Sequence, residues 1–158
     1  MMFESLEKRC LLSVAGSHFV PGAYGPVQAV QVGSLLTLNN AHDVFVFEGA
    51  PGQVSVSDKS VGGSVIVPVV YVGVTTLVIN GTKGGDIIST GNDFMSVTIN
   101  AGAGSDSIVV ADNQSGSTVV HAGGGNDTIL VGKFNAGTRV FGETGRDTYT
   151  GPAGVFVQ

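Results

Sequence analysis

The stretch Val119-Val120-His121-Ala122-Gly123-Gly124-Gly125-Asn126-Asp127-Thr128-Ile129-Leu130-Val131 decides the fold. Two short apolar runs flank a glycine-rich turn that closes on an aspartate. Runs of three to five residues are too short for a helix and suit short strands. Three further segments, at 78–89, 98–110 and 139–151, repeat the arrangement and place aspartates at Asp86, Asp106, Asp127 and Asp147, with spacings of 20, 21 and 20. Counting backwards at the same interval reaches Ser64 in VGGSVIV and then Asp43 in NNAHDVFV, so about six units of 20–22 residues run from about residue 30. A fixed period of this length is the signature of a stacked repeat.

Each unit holds two strands and two turns. Stacking such units pairs every strand in parallel with its neighbours about 4.8 Å away and turns its Val, Ile and Leu inward as continuous ladders. The fold class expected is therefore all-β, a parallel β-roll or β-solenoid of about six coils. Composition agrees. The 158 residues include 25 Gly, only 12 acidic and 7 basic residues, and 42% hydrophobic positions. That is too apolar for ordinary disorder and too poor in strong helix formers for a bundle. A net charge of −5 argues against nucleic acid as a partner. The single cysteine, Cys10, excludes an internal disulfide framework.

The two turns of each unit differ. One is irregular in length. The other keeps the pattern Gly84-Gly85-Asp86, Gly104-Ser105-Asp106, Gly125-Asn126-Asp127 and Gly145-Arg146-Asp147. Glycine there permits positive φ and leaves carbonyl oxygens bare. Aspartate is a common turn former, and turn formation alone accounts for any one of these residues. A column of carboxylates one rung apart is another matter: neighbours about 5 Å apart repel by roughly 1 kcal/mol in water and about 3 kcal/mol at an effective dielectric of 20. A cation between rungs removes that cost, and calcium (Ca2+) takes oxygen ligands at about 2.3–2.6 Å, half a rung spacing.

At these residues the chain resembles the hemolysin-type (RTX) calcium-binding repeat, whose nonapeptide reads G-G-x-G-x-D-x-U-x with U a large apolar residue. Ala122-Gly123-Gly124-Gly125-Asn126-Asp127-Thr128-Ile129-Leu130 is the closest copy, beside those beginning at Ala101, Gly81 and Gly142. The resemblance covers 78–151. It implies calcium held between successive turns by Asp86, Asp106, Asp127 and Asp147 with carbonyls of Gly84, Gly104, Gly125, Gly145, Gly102 and Gly123. Three inter-rung sites follow, at 86/106, 106/127 and 127/147, with the rungs of Asp43 and Ser64 metal-free. The chain departs from the family in its longer period, in having one such turn per unit, in Ala101 and Ala122 for the first glycine, and in the charges of Lys83, Glu143 and Arg146. Arg146 is placed to pair with a carboxylate and stand in for an ion.

Residues 1–16 read as a targeting-like motif or cap, 17–29 as a linker and 30–158 as the repeat domain. Glu4 and Glu7 are foreign to the positive start of a secretory signal. Instead, Phe3 to Ser13 resembles the LEPR-XLL motif of planctomycete surface proteins, with Lys8 in place of its proline. That resemblance implies a secreted or cell-surface location. The run 60–82 carries no charge, yet it contains Pro68 and lies in register with the repeat, so it reads as buried strands rather than a membrane span.

No convergent cluster for catalysis appears. His121 fills the repeat slot of Asn80 and Asn100 and reads as a turn or ladder residue rather than a base, and His42 beside Asp43 reads similarly. No serine lies in a G-x-S-x-G elbow. The function expected is a non-catalytic, calcium-binding extracellular protein whose folding is coupled to the metal. The alternative is a structural solenoid that self-assembles end to end into fibres or a surface coat, through open strand edges near 27–47 and at the C-terminal GPAGVFVQ.

Overall fold

The computed structural model describes residues 27–58, 68–91, 96–111, 116–132, 137–153 and 155–157. The described residues are all-β. Fourteen strands form two mostly parallel sheets of seven. The first sheet joins β1 (Gln28–Val32), β2 (Leu35–Asn39), β6 (Thr76–Asn80), β8 (Ser96–Asn100), β10 (Thr118–His121), β12 (Arg139–Phe141) and β14 (Phe156–Val157), in that order. The second runs β13 (Thr148–Thr150), β11 (Thr128–Val131), β9 (Ser107–Val110), β7 (Ile87–Thr90), β3 (Asp43–Ala50), β4 (Gln53–Asp58) and β5 (Val69–Val72).

From β6 onward the chain alternates strictly between sheets, and each strand pairs in parallel with the one two places on. Period-2 burial makes the core. In the first sheet Leu38, Ile79, Ile99, Val120, Val140 and Phe156 stand in one row, and all but Phe156 are fully buried. In the second the matching row is Val44, Ile88, Ile108, Ile129 and Tyr149. Burying each Ile or Leu contributes roughly 1.5–3 kcal/mol, which no three-residue strand obtains alone. Tyr149, at the end of its row, stacks on Phe156 at 5.0 Å and donates to the Pro152 carbonyl at 3.0 Å.

The beginning of the chain departs from the expected repeat. β2 pairs directly with β6 and β3 directly with β7, so no rung separates the unit of His42 and Asp43 from that of Asp86. Among the described residues five two-strand units stack, and β14 adds a single strand beyond the last. The expected rung at Ser64 lies outside the described residues. The described strands on either side of it are antiparallel, β4 reversing on β3 and β5 on β4. The reversal needs Pro51-Gly52, with Gly52 at φ 74°, the residue pair that sets a tight turn. β1 folds back antiparallel on β2 through Gly33-Ser34, with Gly33 at φ 59°. β1 begins at Gln28, inside the expected linker.

Antiparallel strands thus cover β2 and β3, and within 27–47 it is β1 that remains an edge strand. The edges at that end are β1 and β5, drawn together by the Gln31 amide, whose Nε2 donates to the Val72 carbonyl at 2.7 Å. Within the uncharged run 60–82, the described part is 68–82, which holds β5 and β6, with Tyr71, Val74, Leu77 and Ile79 buried. No helix among the described residues is long and apolar enough to cross a membrane.

Candidate metal site: a column of buried aspartates

Each strand of the second sheet from β7 on is entered through an aspartate, so the sheet register fixes the aspartates above one another. Ser107 N donates to the Asp86 carbonyl at 2.8 Å, Thr128 N to that of Asp106 at 2.8 Å and Thr148 N to that of Asp127 at 2.7 Å. The side chains repeat the pattern. Asp86 N donates to Asp106 Oδ1 (2.7 Å), Asp106 N to Asp127 Oδ1 (2.8 Å) and Asp127 N to Asp147 Oδ1 (3.0 Å). The four aspartates predicted from sequence are therefore brought together as a ladder. Asp86, Asp106 and Asp127 are buried, and Asp147, on the last rung, is half-buried.

Their outer oxygens fall into two classes. Asp86 Oδ2 accepts from Thr82 N at 2.6 Å, and Asp86 Oδ1 lies 2.7 Å from both Thr82 Oγ1 and His42 Nδ1. The Oδ2 atoms of Asp106, Asp127 and Asp147 are buried and have no partner. A buried, unbonded carboxylate oxygen costs several kcal/mol unless the group takes a proton or meets a cation. Burial accordingly pushes the Asp106 carboxyl up to about 6. The neighbouring charges of Asp86 and Asp127 add to the rise, while the Asp86 N–H and His42 oppose it. Burial also raises Asp127, against the Asp106 N–H.

The glycines have a steric reason. A Cβ on Gly104 would lie 2.6 Å from the Gly84 carbonyl oxygen, and one on Gly125 or Gly145 would overlap the carbonyl oxygen of Gly104 or Gly125. Gly104, Gly125 and Gly145 sit at φ 117°, 145° and 138°, and Gly102 and Gly123 at 113° and 98°. Close stacking of the turns thus demands these glycines whether or not an ion is present. Gly84 is not at positive φ, so the first turn has a different backbone from the rest.

Do the donors suit calcium? The unpartnered carboxylate oxygens and glycine carbonyls are hard oxygen ligands of the kind Ca2+ takes. Among the described residues, no three His, Cys, Asp or Glu side chains converge on one point. An ion between two rungs would draw on neighbouring aspartates and fill its shell from carbonyls and water.

Sequence reasoning missed His42. Asp43 pairs in register with Ile87, so it is His42, not Asp43, that stands in the column opposite Asp86. Aligning the inward residues Val44 and Ile88 instead of the two aspartates gives that register. It also missed Thr82 as a donor; the shared slot of Asn80 and Asn100 was legible, but not its extension to Asn39 or its hydrogen bonds, in which Asn80 Nδ2 donates to Asn39 Oδ1 and Asn100 Nδ2 to Asn80 Oδ1, each at 2.8 Å. His121 stands in register with Asn100, stacks on Phe141 at 5.0 Å and meets Glu143 Oε1 at 2.8 Å. Arg146 does not serve as a substitute ion. It is exposed, its backbone N–H donates to Asn126 Oδ1 at 3.0 Å, and the ion pairs among the described residues are His42–Asp86 and His121–Glu143.

Comparison with protein-family models, with curated proteins and with solved structures finds no match.

Proposed function

We propose that the chain is a non-catalytic calcium-binding β-roll protein, secreted or displayed at a bacterial cell surface, whose stacked coils are locked by ions seated against the aspartate column. The observation that carries this reading is the set of buried, partnerless Oδ2 atoms on Asp106, Asp127 and Asp147. Two ways exist to relieve them, a proton or a cation, and at neutral pH a divalent cation neutralises two rungs at once. Affinities of extracellular calcium modules lie at roughly 10⁻⁴–10⁻³ M, so the device would load outside a cell and empty inside one. The surface location is supported by the LEPR-XLL resemblance of residues 3–13. Titration calorimetry with CaCl2 on metal-stripped protein tests the reading: two or three ions per chain at millimolar affinity or better support it, and absence of heat at 10 mM calcium contradicts it.

A second reading has its own observation. The outward valines Val30 and Val32 of β1 and Val70 and Val72 of β5 are exposed on the edge strands of one end, and β13 and β14 are the edges of the other. Uncharged edges of this kind favour strand addition. Self-assembly into fibres or a coat would then be the function, with metal incidental. Sedimentation velocity across a concentration series separates the two, because growth that ignores calcium belongs to the second reading alone.

A further inference from the structure

The column is not uniform, and its first member is built to do without an ion. Asp86 has three donors: Thr82 N on Oδ2, and Thr82 Oγ1 and His42 Nδ1 on Oδ1. Their hydrogens point at the oxygens a cation would need and repel it. The same turn is closed on itself, with Gly84 N donating to Thr82 Oγ1 at 3.1 Å. One position governs the difference. Four residues before each aspartate stand Thr82, Gly102, Gly123 and Glu143. The last three are at φ 113°, 98° and 69°, and their aspartates keep an unpartnered Oδ2, whereas Thr82 is not at positive φ and its N–H reaches the carboxylate. Glu143 takes the left-handed backbone although it has a Cβ, so it is the conformation and not the residue type that leaves the rung open.

We propose that Thr82 and His42 close the first rung, making Asp86 a metal-free anchor, and that cation binding begins at Asp106. This inference rests on the calcium reading above. It leaves two gaps for ions, 106/127 and 127/147, and removes 86/106. It also gives the molecule a polarity: β2, β3, β6 and β7, capped by the antiparallel strands β1, β4 and β5, hold together without metal and template the coils that calcium completes.

Hydrogen-exchange mass spectrometry of the full chain, in EDTA and in 5 mM CaCl2, tests this. The expected result is protection of β6 and β7 in both conditions, with calcium adding at least tenfold protection only from β9 onward. A gain at β7 equal to that at β9 and β11 overturns the closed-rung inference and leaves the calcium reading standing. No gain in any strand overturns both. As a second measurement, the variant Thr82→Gly with His42→Ala removes the Thr82 hydroxyl and the His42 ring and lets position 82 take the positive φ of Gly102 and Gly123, and it is expected to raise the calcium count from two to three per chain. An unchanged count in a variant whose circular dichroism matches the parent overturns the inference. Should that variant not fold, the exchange pattern of the unaltered chain decides alone.

Discussion

Asp86 and Asp106 stand one rung apart in the same register, each buried and each at the mouth of a strand of the second sheet. Asp86 is met by a histidine from the rung before it and a threonine from its own turn. Asp106 is met by a single backbone N–H and left with one bare oxygen. The comparison teaches how a parallel stack can hold a buried carboxylate. Either local donors are built into the turn, at the expense of regularity, or the turn stays regular and glycine-rich and its charge must be met from outside. The two ends of the molecule show the same division. The strands β1 to β7 are irregular and antiparallel at their edges, and among the described residues there no buried side-chain polar atom lacks a partner. The part from β8 onward is repetitive and holds the three carboxylates with a buried, unpartnered oxygen.

The largest expected effect breaks the comparison at its glycines. Gly125→Ala forces a Cβ into the Gly104 carbonyl at φ 145° and should cost at least about 3 kcal/mol. Gly49→Ala, in β3 where nothing lies within 4 Å and φ is not positive, should change stability by less than about 0.5 kcal/mol. Urea denaturation of the two variants measures the contrast. Equal losses would mean that the turns do not stack as closely as described.

Next is pH in the absence of metal. The Asp106 carboxyl is pushed from 3.8 to about 6 in the folded chain, with Asp86, Asp127 and His42 as the charged groups that shift it. Between those values the folded state holds a proton that the unfolded state has lost. This group therefore favours folding most below about pH 4 and loses that advantage as pH rises through 6, by on the order of 2–3 kcal/mol. Protein in EDTA should melt higher at about pH 5 than at about pH 7.5, and saturating calcium should remove the difference. An EDTA-treated protein that is more stable at the higher pH would contradict the account.

The smallest effect lies on the outer face. Asn100→Ala deletes one link of the half-buried amide ladder and should cost about 1 kcal/mol with calcium or without it. A calcium-dependent cost would tie that face to the column.

Much of this was legible in the residues. The 20–21-residue period, the inward rows such as Ile88–Ile108–Ile129 and the alignment of Asp86, Asp106, Asp127 and Asp147 all follow from period-2 burial and a constant unit length. What was not legible is where the repeat yields to something else. The interval from Asp43 to Asp86 is close to two periods, so counting alone inserts a rung at Ser64, whereas β2 pairs directly with β6 and β3 with β7. A one-residue slip of register separates His42 from Asp43, too small for spacing to detect. Thr82 is chemically an ordinary turn residue, and its role depends on a backbone angle that residue type does not dictate.

The central claim is that buried negative charge from Asp106 onward is balanced by calcium. It is tested most directly by differential scanning calorimetry of the parent and of Asp106→Asn with Asp127→Asn, with and without calcium at about pH 7.5. Asparagine keeps the Oδ1 acceptor for the rung before it and removes the charge. The account predicts that the double variant melts higher than the parent in EDTA, and that calcium raises the parent's melting temperature by several degrees while leaving the variant unmoved. A parent that calcium does not stabilise, together with a variant that melts lower in EDTA, would contradict it.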